Sequence, residues 1–150
     1  MSGHHADELL HDATLELSSE LRIAVARLSR RLRAEKADDE LSEGQMMVLA
    51  AIKQDGPLTL SALSERERVT LPSMNRRVNT LVEAGYIERE QSTDDRRKVL
   101  LHLTSAGVEL VLEIRRRRTQ WLYQRLTLLD PTERENLAQA ASVLRELADS

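Results

Sequence analysis

Around Gly85 the hydrophobic period of this chain changes abruptly, and it changes back at Thr104. Upstream, apolar residues recur at steps of three and four; "YIERE" and "VLLHLT" then alternate as strands do, and from Thr104 the helical spacing resumes. A period near 3.6 gathers apolar side chains on one helix face, whereas a period of 2 gathers them on one sheet face. The chain is therefore predicted to run as helices, one β-hairpin, then helices. The polar insert "QSTDDRRK" marks the hairpin tip and gathers three cations there.

The helices announce their ends. Leu10, Leu17, Leu21, Val25, Leu28 and Leu32 form a narrow apolar stripe on one long helix over residues 7–36, and a stripe that narrow on a helix that long calls for a partner helix. Ser42 with Gln45 makes a capping box and Leu41 with Met46 a hydrophobic staple, so a second helix starts there and stops before "DGP". Thr59 caps a short third helix with Leu60 and Leu63 inward. A fourth, 71–84, has Pro72 in its first turn and Gly85 where a left-handed C-terminal cap is needed. Thr104 caps a fifth helix, and Asp130, Pro131 and Glu133 open a sixth with Leu137, Ala140, Leu144 and Leu147 on one face. The third and fourth helices, joined by a very short connection, form a helix-turn-helix.

Composition narrows the function. The formal net charge is -3, so attraction to a polyanion has to come from a local patch. Residues 66–98 supply one: eight Arg or Lys against six Asp or Glu. Cysteine is absent, which excludes disulfides, thiolate metal sites and thiol switching, and fits a reducing cytoplasm. No apolar run approaches the ~18 residues of a membrane span, and "MSGHHADELLHDA" lacks the parts of a signal peptide. One cytoplasmic domain without membrane contact is expected. With no Phe, the core must be built from Leu, Val, Ile, Ala and Met.

At 100° per residue, Leu71, Met74, Val78, Leu81 and Val82 fall on the inward side of the fourth helix, and Pro72, Ser73, Arg76, Thr80 and Glu83 on the outward side, with Arg77 and Asn79 on the flanks. A helix N-terminus favours phosphate, and an Arg one turn in can make the bidentate contact to guanine. A hairpin directly after such a helix adds a second element for the backbone or the minor groove.

"LPSMNRRVNTLVEAGYIERE" and "DDRRKVLLHLTSAG" together resemble the MarR family of bacterial winged helix-turn-helix regulators, the second string being close to the family's D-x-R…L-T-x-x-G signature. The resemblance implies a mainly α (α+β) chain with about six helices and a two-stranded wing. It implies a DNA-binding region over 42–103, and dimerisation helices over 7–36 and 104–149 to which Leu10, Leu17, Leu126, Leu137, Leu144 and Leu147 would contribute. It implies a homodimeric repressor on a pseudo-palindromic double-stranded DNA operator, released by a small aromatic or anionic effector. Pro72, Ser73 and Arg76 match base-facing positions, Arg97 the wing-tip arginine of the minor groove, and Asp95 the acid that buttresses the wing. Arg77, Thr80, Arg96 and Lys98 complete the expected DNA-contacting set; of the two tip arginines, strand alternation selects Arg97. Asn75 departs from the Thr or apolar residue usual there, and helical angle puts it near the core edge. The rival reading is a helical protein-interaction module without DNA binding.

Other signals carry less. "RRRR" at 115–118 spans more than a helical turn, so its four cations cannot share a surface; salt bridges in the dimer layer are the structural reading and an anionic effector site the alternative. Arg66 and Arg68 either meet phosphate or pair with Glu65 and Glu67. His4, His5 and His11 lack a companion ligand group for a metal, and His102 is a strand residue. No phosphate loop, zinc-hydrolase motif, nucleophile elbow or triad spacing is present, so neither enzymatic activity nor a cofactor is expected.

Overall fold

The computed structural model describes residues 2–37 and 41–150; residues 38–40 and the side chains of residues 2–9, His4 and His5 among them, lie outside the described residues. The elements run α1 (Ser2–Arg33), α2 (Glu43–Asp55), α3 (Leu60–Glu67), α4 (Leu71–Glu83), β1 (Ile87–Gln91), β2 (Val99–Leu103), α5 (Ser105–Leu126) and α6 (Pro131–Ala148). This is the expected helical chain with a helix-turn-helix and a two-stranded wing. The first helix begins at Ser2 rather than at residue 7 and ends at Arg33 rather than 36.

The chain divides into two units, residues 1–35 and 36–150. In the first, α1 leaves Leu10, Leu17, Leu21, Val25 and Leu28 exposed. Arg30, Arg31 and Arg33 in its last turn face the negative end of the helix dipole, where cations are favoured.

In the second unit the core is aliphatic. Leu49, Leu63, Met74, Leu81, Ile87 and Leu101 are its largest fully buried side chains, and Val111 and Ile114 extend it onto the first half of α5. Burying one such side chain contributes about 1.5–3 kcal/mol. Both expected capping boxes form. Gln45 N–H donates to Ser42 Oγ at 3.2 Å while Ser42 N–H donates to Gln45 Oε1 at 2.8 Å, and Asp130 with Glu133 repeats the exchange at 2.8 and 3.1 Å. Leu41 and Met46 are both buried, so the staple closes. The apolar side chains of α6, Leu137, Val143, Leu144 and Leu147, are all exposed.

Gly85, at φ 82°, ends α4: Tyr86 N–H donates back to Leu81 O at 2.9 Å and Gly85 N–H to Val82 O at 3.0 Å, the double bond pattern of a glycine-capped helix end. The chain then enters an antiparallel hairpin with Ile87 opposite Leu103 and Gln91 opposite Val99. Leu58, just before α3, makes two backbone bonds to Leu101, so β2 is gripped along both edges at its base. That bridge follows a proline and has no alternating run of its own, which is why spacing does not reveal it.

Thr104 joins these parts. Its N–H donates to Tyr86 O at 3.1 Å, its hydroxyl donates to Gly85 O at 2.6 Å, and the same oxygen accepts Gly107 N–H at 3.1 Å to cap α5. Gly107 must be glycine for this: a Cβ there would lie 2.2 Å from Tyr86 O, a backbone atom that cannot swing aside. Gly107→Ala is therefore expected to cost about 3 kcal/mol or more. The check is the urea midpoint at fixed protein concentration.

Candidate nucleic-acid interface

α4 is a helix with one buried side. Met74, Val78 and Leu81 are fully buried, and Thr70 caps the amino end by accepting Ser73 N–H at 3.4 Å. The outward set is where helical angle puts it: Pro72, Arg76 and Thr80 are exposed and Ser73 is partly so. Arg76 Nη2 donates to Ser73 Oγ at 3.2 Å, which orients the guanidinium along the helix surface toward its amino end. Thr80 donates its hydroxyl to Arg76 O at 3.1 Å and so has no hydroxyl proton left for a partner.

Two residues of this helix, Leu71 and Asn75, differ from the expected placement, and Arg77 keeps its flank position. Leu71, assigned inward, is 49% exposed although Met74, three residues on, is fully buried. Asn75, assigned to the core edge, is exposed. Arg77 is half-buried, with its guanidinium against α2: a Cβ added to Gly44 would lie 2.7 Å from Arg77 Cζ. Asn79 on the same helix accepts a hydrogen bond from Arg89 of β1, tying the helix to the wing.

The turn into α4 is made by Arg68, the only described non-glycine residue with positive φ, at 50°. Its left-handed backbone lets the chain reverse between α3 and α4 in three residues. Arg66 is paired with Asp55 and also reaches Gln54, so its charge is largely neutralised within the fold.

At the wing tip, Ser92 N–H donates to Lys98 O and Lys98 N–H to Asp95 O, both at 2.9 Å. Arg96 and Arg97 are therefore the middle of a turn, not strand residues, and alternation cannot choose between them. Asp95 makes the distinction instead. Its Oδ1 accepts Arg97 N–H at 3.0 Å and lies 3.7 Å from Arg97 Nε, while the Arg97 side chain stays 96% exposed. Arg96 uses its carbonyl to receive the Gln91 carboxamide. An open groove of about 510 Å³ runs between the first turn of α3 and the tip, with Thr59, Ser61, Glu65, Arg97 and Lys98 on its walls.

The arginine run divides as salt bridges require. Arg116 donates to Glu113 through Nε and Nη2, both at 2.8 Å, and Arg117 Nε donates to the same carboxylate at 2.9 Å while its Nη1 donates to Lys36 O at 2.7 Å. These bonds, Arg116 first, hold the Glu113 carboxyl at about 2 against an ordinary 4.5. Arg118 Nε is buried without a hydrogen-bond partner among the described residues. His102 reaches Glu90 at 2.8 Å across the wing strands. Among the described residues no group of three acids or histidines is placed to hold a metal ion, and no helix is long and apolar enough to cross a membrane.

Two outcomes follow from these contacts. Asp95→Ala should raise hydrogen exchange at the Arg97 amide roughly fivefold, the equivalent of a hydrogen bond of about 1 kcal/mol, while Asp95→Asn, which keeps the acceptor, should leave it protected. Glu113 has its pKa depressed in the folded state, so its contribution is full above 4.5 and fades as pH falls toward 2. The stability gap between the natural protein and Glu113→Gln, measured by denaturation at successive pH values, should close over that window.

The geometry has counterparts. Residues 41–99 match the family model described as MarR family. An uncharacterized HTH-type transcriptional regulator of Mycobacterium leprae is 38% identical over 138 residues, covering 92% of this chain and 96% of that protein. The HTH-type transcriptional repressor MdtR of Bacillus subtilis is 29% identical over 139 residues, covering 90% and 88%. Among solved structures, a transcriptional regulator protein from Pseudomonas aeruginosa superposes with a TM-score of 0.83 at 31% identity, covering 93% of this chain and 97% of that one. A MarR family protein from Bacillus stearothermophilus shares the fold, with a TM-score of 0.79 at 19% identity and coverage of 93% and 98%. These relatives are regulators rather than enzymes, and with an exposed α4 face and a cationic wing on one small head, this chain belongs to the MarR family of transcriptional regulators.

Proposed function

We propose that the protein is a homodimeric repressor that binds a pseudo-palindromic operator, with the exposed face of α4 in the major groove and the turn 95–98 in the adjacent minor groove. The observation that carries this reading is the wing tip: Asp95 fixes the Arg97 backbone and stands 3.7 Å from its Nε, while the Arg97 side chain stays 96% exposed to solvent. A narrow minor groove concentrates negative potential and rewards an inserted arginine. On this reading residues 42–103 form the DNA-binding region, Pro72, Ser73 and Arg76 face bases, and Arg96 and Lys98 meet the backbone. Arg77 then serves as a flank contact from its seat on Gly44, and Thr80 contributes its methyl rather than its hydroxyl.

The exposed apolar side chains of α1 and α6 support self-association, Leu10 and Leu17 on one and Leu137, Leu144 and Leu147 on the other, with Leu126 half-buried between α5 and the turn. In this account helices 7–36 and 104–149 build the dimer layer. Release is assigned to a small aromatic or anionic ligand; the unpartnered Nε of Arg118 supports an anion. The name of the Bacillus subtilis relative, a repressor, supports repression.

The experiment is a mobility shift and footprint on the DNA upstream of the protein's own locus. Arg76→Ala should weaken operator binding by about 1–3 kcal/mol more than it weakens binding to random duplex. Arg97→Ala should lower affinity for both and reduce the salt slope by about 0.9. Equal losses for Arg76→Ala on both duplexes would make Arg76 a phosphate contact, and no shift even at low salt would favour the protein-interaction module.

A further inference from the structure

Most polar side chains on the outward half of α4 are already engaged within the fold. Ser73 accepts from Arg76, Thr80 donates to a carbonyl, and Asn79 is held by Arg89. Asn75, in the half of the helix nearer its amino end, is not: it is exposed, and its carboxamide makes no hydrogen bond among the described residues. One turn earlier on the same side lies Leu71, an isobutyl group held 49% exposed at the first position of the helix. Neither residue contributes to the buried set of Met74, Val78 and Leu81. A free carboxamide one turn above an exposed aliphatic group is a pairing with a chemical counterpart in the major groove.

We propose that Leu71 and Asn75 form a second base-reading edge of α4, beside the one carried by Arg76, and that this edge selects A·T pairs at adjacent positions in each half-site. A carboxamide offers one acceptor and one donor side by side, which match adenine N6 and N7; an aliphatic side chain matches the thymine C5-methyl group. The two side chains stand about 6 Å apart along the helix axis, a spacing suited to neighbouring rather than identical base pairs. The leucine is there because water gains nothing from it and a thymine methyl does; the sequence departure at Asn75 becomes a specificity choice. This edge rests on the proposed DNA reading, and it deepens that reading by stating which bases are chosen.

Binding-site selection from a randomised duplex pool, using the full chain, tests it. The natural protein should enrich adenine at one position and thymine next to it in each half-site; Asn75→Ala should lose the first preference and Leu71→Ala the second, with thermal unfolding unchanged because both side chains are exposed. Atom-level substitution then separates contact from context. Replacing the selected adenine by 7-deazaadenine should weaken the natural protein by roughly 5- to 150-fold and leave Asn75→Ala indifferent. Replacing the thymine by uracil should weaken the natural protein roughly fourfold, the value of one buried methyl, and leave Leu71→Ala indifferent. A selected sequence that the two variants share with the natural protein, or equal losses on the altered bases with and without Asn75, overturns the edge while leaving DNA binding intact. A pool from which the natural protein enriches nothing overturns the DNA reading itself, and the edge with it.

Discussion

Thr104 holds three elements together through the end of α4, the root of the wing and the start of α5. Its hydroxyl sits between Gly85 O and Gly107 N–H, and its own N–H reaches Tyr86 O. Because one side chain serves two helix termini, the angle between α4 and α5 is set by hydrogen-bond lengths rather than by apolar contact alone. The glycine three residues later is the steric counterpart of the same joint: the carbonyl and the helix come so close that no side chain fits between them.

Much of the head could be read from the order of residues because its signals are local. The two capping boxes, the staple, the proline in the first turn of α4 and the glycine after it each depend on residues within four or five positions, and each formed. The hairpin followed from a change of period. What could not be read depends on distant partners. Arg66 keeps the expected neighbour Glu67 but also pairs with Asp55 at the end of α2, and Arg77 rests on Gly44 where α2 packs on α4. Angular placement also assumes that a helix is covered along its whole length; Leu71, the first residue of α4, is half exposed on the buried side. The seven residues between β1 and β2 form a turn, so a strand rule does not apply to Arg96 and Arg97, and the local order there is an Asx turn made by Asp95.

Charge follows the same division between local and distant. The chain is acidic as a whole, which limits indiscriminate attraction to polyanions. Within it, cations are sorted by whether the fold satisfies them. Arg66, Arg116 and Arg117 are consumed by carboxylates and a carbonyl, while Arg97 is presented to solvent by the carboxylate that binds its backbone. Two members of the arginine run, conspicuous in the sequence, are tied at the surface to Glu113, whereas the tip arginines stand in a turn with Arg97 almost wholly exposed.

The bridge between Leu58 and Leu101 has a mechanical meaning. At its root β2 is a central strand with neighbours on both edges, whereas beyond Gln91 and Val99 the loop is held only by its own turn bonds. The hairpin is thus a cantilever, clamped at the base and compliant at the end. Backbone bonds to a second neighbour stop at Leu101, so the segment that carries Arg97 is the least braced part of the hairpin.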